Sequence, residues 1–316
     1  MSNLILISGA GQLGSRYLQG MSKCTLPLKI FIHDPSIKSL GIAKQRWEEV
    51  STKHSPHEVC FITSLKKLPN SIDIAIVSTN SANRLSAVKN IFQNTNVTHW
   101  ILEKVLVRSL TDLNELTSII NLSSAWVNTP RRLMPWHKSI KEQLNNLEPF
   151  KFEVKGGSWG LACNTIHYLD LFSWWSGELI EDISTEKLDK DWFKSKRQGY
   201  WEVTGELKVK FSGGSIATII CNHSDEPVVI KVKNTNYWVI NESEGFARKS
   251  DGAEINGIVN FQSDITASMV ESIILNSSCN LPSLKESAAL HKVFIHEMVE
   301  HWKGCGNPLD SFVPIT

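Results

Sequence analysis

The sequence predicts two domains of different class: an α/β domain over residues 1–125 built as a doubly wound parallel sheet, and an α+β domain over 126–316 with a large antiparallel sheet. Three observations carry this expectation. Strand-length apolar runs alternate with helix-length segments through the first 125 residues, which implies right-handed crossovers and parallel pairing. A glycine-rich turn, Gly9-Ala10-Gly11-Gln12-Leu13-Gly14, follows the first of these runs. Beyond residue 200 the apolar runs alternate and lie close together, and the first two are joined through Gly213-Gly214, a hairpin signal.

In chain order, Asn3 to Ser8 is an apolar run ending in glycines and reads as a buried strand. A helix is expected from Gly11 to Met21, and a second strand over Leu28 to His33. Weaker or longer apolar runs at Glu58–Ile62, Ile72–Val77, Thr98–Leu102 and Ser123–Asn128 supply the remaining strands. Helical spacing fills Ile37–Ser51, Ser81–Phe92 and Thr111–Asn121. The second domain opens with a strand at Phe150–Trp159 and a helix at Asn164–Ser176. Strands are expected at Val203–Phe211, Ser215–Asn222, Pro227–Lys233, Asn236–Asn241 and Gly245–Lys249. Ser283-Leu284-Lys285-Glu286 is a capping box that opens a last helix running to Trp302 and ending at Gly304. The charge-rich stretches Lys187–Asp191 and Lys194–Arg197 read as solvated loop.

Composition narrows the function classes. Of 316 residues, 33 are Lys or Arg and 32 are Asp or Glu, a formal net charge of +1, so no field draws nucleic acid or an anionic membrane to the chain. No apolar run approaches the roughly 20 residues of a membrane span. The opening reaches Gly9 too soon for a signal peptide and has no basic stretch. The six cysteines, Cys24, Cys60, Cys163, Cys221, Cys279 and Cys305, show no C-x-x-C spacing, so reduced thiols in a cytoplasmic protein are expected. Eleven tryptophans, with Trp174 and Trp175 adjacent, are read mostly as core.

The turn at Gly9, Gly11 and Gly14 matches the G-x-G-x-x-G dinucleotide fingerprint, and its place after a strand and before a helix is the context that gives it meaning. The three glycines then serve a tight turn, close approach to a pyrophosphate, and close helix–strand contact. The helix start at Gln12 and Leu13 offers unpaired N–H groups to phosphates. The acidic residue expected about 20 positions on is Asp34, at the end of the second strand. A carboxylate there accepts hydrogen bonds from ribose hydroxyls and repels a 2′-phosphate. With no arginine close after it, NAD is favoured over NADP as cofactor of this Rossmann domain.

The fifth strand ends in Ile101-Leu102-Glu103-Lys104. A Glu-Lys strand end after this fingerprint and before an α+β domain resembles the Gfo/Idh/MocA oxidoreductase family, over essentially the whole chain. That resemblance implies that Ser78, Thr79 and Asn80, in Ile74–Asn80, pass beside the nicotinamide ribose, and that Glu103 and Lys104 border the cofactor. Val105 stands where the family has proline, so the bend after Lys104 is expected to be built differently. Gly160–Trp175 resembles the family's second signature, which places His167 and Asp170 on one helical face. A neutral imidazole is the usual proton acceptor near neutral pH, and Asp170 would orient it or hold a substrate hydroxyl. Cys163 occupies the position of the family's carboxylate, with Asn164 beside it as a hydrogen-bonding substitute. Arg131 and Arg132, at the junction of the domains, could hold an acidic or phosphorylated sugar; a positive helix terminus or an interdomain salt bridge is the competing expectation.

The implied function is an NAD-dependent dehydrogenase or reductase acting on the CH–OH group of a sugar, nucleotide-sugar or polyol, in surface-polysaccharide precursor metabolism or elsewhere, with Lys104 and His167 handling the proton. The family also implies a homo-oligomer, dimer or tetramer. Two other readings stand beside it: a non-catalytic dinucleotide or sugar sensor, and an NAD-using lyase or glycosidase with no net redox change. No metal is expected. The histidines of His296-Glu297-Met298-Val299-Glu300-His301 are five apart, about 140° around a helix, and cannot readily share one ion.

Overall fold

The computed structural model describes residues 2–52, 55–145 and 147–316. Its first sheet contains β1 (Asn3–Ser8), β2 (Leu28–His33), β3 (Glu58–Ile62), β4 (Ser71–Val77), β5 (Asn96–Glu103) and β6 (Ala125–Asn128). They lie in the order β3-β2-β1-β4-β5-β6, every pair parallel. The order reverses between β1 and β4, the point at which open α/β sheets bind ligands beyond the carboxyl ends of their strands. Ile5, Leu6 and Ile7 of β1 and Ile74 to Val77 of β4 have no or almost no exposed surface, as expected of strands covered on both faces.

The helices of this region are α1 (Gln12–Met21), α2 (Ile37–Glu48), α3 (Ser81–Asn94) and α4 (Leu110–Ile119). Two are capped by the side chain just before them. The Ser36 hydroxyl accepts the Ser39 N–H at 3.2 Å to cap α2, and the Asn80 side chain accepts the Asn83 N–H at 3.1 Å to cap α3.

The second sheet has eight strands in the order β16-β15-β14-β13-β7-β12-β11-β8. In chain order, α5 (Pro135–Glu142) precedes β7 (Lys151–Gly157), α6 (Leu161–Ser176) and β8 (Ile180–Leu188). The two-residue strands β9 (Phe193–Lys194) and β10 (Trp201–Glu202) pair with each other. Then come β11 (Gly205–Phe211), β12 (Ile216–Asn222), β13 (Val229–Lys233), β14 (Tyr237–Asn241), β15 (Phe246–Lys249) and β16 (Glu254–Asn256). The pairing is antiparallel except between β7 and β12, which run parallel. Helix α6 covers this sheet: Phe172 stacks on Phe152 of β7 with ring centroids 4.4 Å apart. Helices α7 (Gln262–Asn276) and α8 (Leu284–Gly304) close the chain. No helix among the described residues is long and apolar enough to cross a membrane.

The chain forms two compact units, and they do not follow a single cut. One comprises the chain to Leu106 with Asn114–Asn128 and Asn260–Lys285; the other comprises Val107–Leu113, Thr129–Val259 and Glu286–Thr316. The sequence division near residue 125 therefore misses the return of α7 to the first unit. Gly20 makes that return possible, since a Cβ there would lie 2.7 Å from Thr266 Cβ and 3.0 Å from Ser263 Cα. Lys23 pairs with Asp264 at 2.9 Å, and Glu271 accepts from the Thr25 hydroxyl at 2.8 Å.

Candidate functional site

The fingerprint turn shows three different glycine environments. Gly9 has φ +102°, a left-handed conformation that side chains rarely adopt. A Cβ on Gly14 would lie 1.8 Å from the Gly9 carbonyl oxygen and 2.7 Å from Ser78 Oγ, so only hydrogen fits between α1 and the turn. A Cβ on Gly11 would meet nothing within 4 Å. The open side of the loop is thus at Gly11, beside the exposed Gln12 and half-buried Leu13. Asp34 is held at the end of β2 by two backbone donors. Its Oδ2 accepts the Ala10 N–H and its Oδ1 the Ser36 N–H, each at 2.8 Å. The carboxylate is consequently fixed against the fingerprint turn.

The turn after β4 lies alongside. Ser78 Oγ donates to the carbonyls of Gly9 at 2.7 Å and Ser8 at 3.1 Å. Thr79 Oγ1 is buried and has no hydrogen-bond partner among the described residues. The side chain of Asn80, expected at the cofactor, is the cap of α3.

At the end of β5 the expected neighbours Glu103 and Lys104 separate in environment. Lys104 is half-buried. Glu103 is only 5% exposed, and its Oε1 accepts from Tyr17 Oη at 2.5 Å and Asn128 Nδ2 at 2.7 Å. Burial raises the Glu103 pKa, opposed by these two donors and by the charges of Arg84 and Lys104. The Tyr17 phenol, buried beside this carboxyl, is raised well above its usual value and remains a donor. The structure thus corrects the assignment of Glu103 to the cofactor surface: its carboxyl is an interior anchor. The Lys104–Val105 peptide is cis, with valine in the place of proline. Sequence reasoning missed Arg84, which is 1% exposed and donates to the carbonyls of Thr79, Val105 and Leu106, the last at 3.0 Å. Its only sequence signal was an arginine inside an otherwise ordinary helix.

The second unit carries the α6 residues. The helix begins at Leu161, after Gly160 at φ +77°. A Cβ at Gly160 would lie 3.0 Å from Glu202 Oε1. Glu202, 7% exposed, accepts the Ala162 N–H at 2.9 Å and so places a carboxylate at the helix start. Nothing local in sequence links Glu202 to this helix. Cys163, Asn164 and His167 are half-buried, and Asn164 Nδ2 donates to the Trp159 carbonyl at 2.7 Å.

Asp170 has no exposed surface. Its Oδ2 accepts from Thr129 Oγ1 at 2.8 Å and Arg132 Nε at 3.1 Å, and its Oδ1 from Arg132 Nη2 at 2.6 Å. Burial pushes this carboxyl up while Arg132 and Thr129 pull it down. Arg132 also reaches Glu286 at 3.3 Å. Arg131 makes a two-pronged pair with Glu242, Nε to Oε1 at 2.8 Å and Nη2 to Oε2 at 2.6 Å, and lies over the Tyr168 ring at 4.5 Å. His137 Nε2, from a fully buried ring, sits 2.9 Å from Glu242 Oε1. The expected substrate contacts Asp170, Arg131 and Arg132 are corrected accordingly: each forms a buried internal pair, because β14 and α6 bring carboxylates to the arginines. His301 faces Trp192, whose Nε1 donates to it at 3.2 Å, and among the described residues no group of three or more His, Cys, Asp or Glu is arranged to hold a metal.

No family model matches the sequence, and no curated protein matches it. Solved structures do share its fold. An oxidoreductase from Agrobacterium radiobacter, in complex with NAD+, L-tartaric acid and magnesium, has a TM-score of 0.70 at 13% identity, over 93% of this chain and 94% of that one. UDP-N-acetylglucosamine 3-dehydrogenase GnnA from Acidithiobacillus ferrooxidans has a TM-score of 0.68 at 12% identity, over 94% and 96%. Scyllo-inositol dehydrogenase from Lactobacillus casei, with bound NAD(H) and scyllo-inositol, has a TM-score of 0.67 at 14% identity, over 96% and 98%. At these identities the likeness is one of fold. The chain has the two-domain fold of the Gfo/Idh/MocA-type dehydrogenases, the family that its Gly9–Gly14, Glu103-Lys104 and His167 motifs resemble.

Proposed function

We propose that the protein is an NAD-dependent oxidoreductase that interconverts a secondary alcohol and a ketone on a sugar, nucleotide-sugar or polyol. The observation that carries the reading is the fingerprint turn at the sheet's reversal point. Gly9 makes the turn, Gly14 admits the helix, and the open side at Gly11 leaves room for a phosphate. These residues fit a dinucleotide. Gly11, Gln12 and Leu13 would hold its phosphates, Asp34 its adenosine ribose, and Ser78 and Thr79 the stretch near the nicotinamide.

Bound NAD would supply the two-electron acceptor for the hydride that leaves the carbinol carbon. The chain's part is the proton. As the hydride departs, the hydroxyl proton passes to a base, for which Lys104 and His167 are the two candidates. Asn164, on the same helix as His167, contributes a polar contact to the substrate. Asp170 and Arg132 hold α6 from the buried side. With both arginines already matched by carboxylates, an anionic substrate is no longer favoured over a neutral sugar or polyol.

NAD is preferred to NADP because a carboxylate facing a 2′-phosphate is a like-charge juxtaposition, which can cost several kcal/mol. A cytoplasmic setting fits six cysteines none of which forms a disulfide. The test has two parts. Titration calorimetry with NAD(H) and NADP(H) should show tighter NAD(H) binding. A panel of sugars, inositols and nucleotide-sugars should include one that reduces NAD. Tighter NADP(H) binding sinks the Asp34 assignment; NAD that binds while every candidate leaves it unreduced favours a sensor.

A further inference from the structure

We propose that Arg46 is a cofactor-positioning residue: it fixes the side-chain amide of Gln12 and brings a positive charge to the first turn of α1, for the diphosphate of a dinucleotide. This rests on the cofactor reading above. Arg46 lies in the last turn of α2, twelve positions beyond Asp34. Its backbone carbonyl accepts from Gln19 Nε2 at 3.3 Å, which pins α2 against α1. The guanidinium then runs back along α1, where Nη1 donates to Ser15 Oγ at 2.5 Å and Nη2 to Gln12 Oε1 at 2.7 Å. Ser15 Oγ in turn donates to the Gln12 carbonyl at 3.0 Å.

Both acceptors are neutral, and the charge of Arg46 meets no carboxylate among the described residues. A guanidinium has five N–H donors and no acceptor, so the atom of Gln12 that faces it must be the oxygen. The NH2 of Gln12 is thereby turned away from Arg46, as a donor on an exposed side chain in the fingerprint itself. A simple packing role for Arg46 would leave its charge to water or to a surface carboxylate. Here it is directed at the α1 start, where the helix already favours an anion. The diphosphate is common to NAD and NADP, so the effect of Arg46 is the same for both.

The experiment is titration of NAD+ and NADP+ into the intact protein and into Arg46→Met, Arg46→Lys and Gln12→Met, at low and high salt, with melting temperature as the check of folding. Arg46→Met should weaken both cofactors by about tenfold, about 1.4 kcal/mol, and flatten the salt dependence of binding. Arg46→Lys, which keeps the charge but loses the fork, should fall between. Gln12→Met, at an exposed position, should weaken both cofactors with the melting temperature unchanged, and it answers the question if Arg46→Met fails to fold. Affinities within twofold of the parent in both Met variants would overturn the proposal while leaving the cofactor reading intact. So would a loss confined to NADP+, which would place Arg46 at the 2′-phosphate. A parent protein that binds neither dinucleotide would overturn the cofactor reading and this inference with it.

Discussion

Two glycines three positions apart should respond in opposite ways to a single added carbon. At Gly14 a Cβ would sit 1.8 Å from the Gly9 carbonyl oxygen and 2.7 Å from Ser78 Oγ. The blocking atom is backbone on a strand end, so α1 and the turn must separate by more than an ångström. Overpacking of this kind costs about 1–3 kcal/mol and sometimes more, and the geometry puts Gly14→Ala at the upper end. The helical gain of alanine over glycine returns about 1 kcal/mol, which leaves a net loss of about 2 kcal/mol. At about 2–4 °C per kcal/mol for domains of 150–250 residues, melting should fall by about 4–8 °C. At Gly11 a Cβ meets no protein atom, and the residue is the N-cap of α1 with extended backbone, φ −66° and ψ −165°. Serine is a good cap, so Gly11→Ser should change stability by only a few tenths of a kcal/mol. Its side chain should nevertheless occupy phosphate space and weaken NAD(H) by tenfold or more, about 1.4 kcal/mol. Calorimetric melting of the three proteins without ligand, and titration of each with NAD(H), separates the two effects. A Gly14→Ala protein as stable as its parent would refute the packing argument. A Gly11→Ser protein with parental NAD affinity would show the loop to be a turn and nothing more.

Other consequences can be checked with the protein alone. Arg132→Met should destabilise by about 3–5 kcal/mol, because it strands a carboxyl with no exposed surface. Arg132→Met combined with Asp170→Leu should recover much of that loss in chemical denaturation. Burial pushes the Glu242 carboxyl up, but Arg131 and His137 outweigh it and hold it well below the usual carboxylate range. A depressed carboxyl stabilises the fold fully above its ordinary pKa and loses that contribution as the pH falls below it. Melting temperature should therefore drop more steeply under acid in the parent than in Glu242→Gln. Burial pushes the Cys24 and Cys279 thiols up to about 12, so both should resist alkylation in the native protein at mildly alkaline pH and react on unfolding. Mass mapping of the labelled sites decides it.

The legible parts of the sequence were those whose signals are local. The fingerprint and the Asp34 strand end each depend on residues close along the chain, and the parallel sheet follows from continuous apolar runs. The parts that escaped depend on partners far along the chain. β8, Ile180–Leu188, gives no strand signal in sequence and only its end, Lys187 and Leu188, falls in a stretch read as loop, because it is an edge strand bearing Glu181, Asp182, Glu186 and Lys187, and edges carry charge to avoid further pairing. Its register also shifts against β11 between Glu206 and Lys208, which breaks the alternation. Helix α7 is rich in Ile, Thr and Val, poor helix formers, and is held by burial of Ile265, Met269, Val270 and Ile273. The arginine pair shows the same limit at the site. Arg131 and Arg132 look like an anion clamp until Glu242, 111 residues away, and Asp170, 38 away, arrive.

The corner after β5 is held by buried polar contacts that converge on it from two sides. Proline shapes a chain through its ring, and Val105 lacks one. The corner is held through the main chain. Arg84, buried in α3, places its donors on the carbonyls of Val105 and Leu106 and on that of Thr79 after β4. Hydrogen bonds from a charged donor are stronger than neutral ones, and these acceptors are backbone oxygens that any residue at position 105 would offer. One side chain thus joins the turn carrying Ser78 and Thr79 to the turn carrying Lys104, the two stretches assigned here to cofactor and proton. Glu103 secures the same corner from within, through Tyr17 and Asn128. Lys104 is then presented by a scaffold of buried polar contacts, with Val105 itself fully buried behind it.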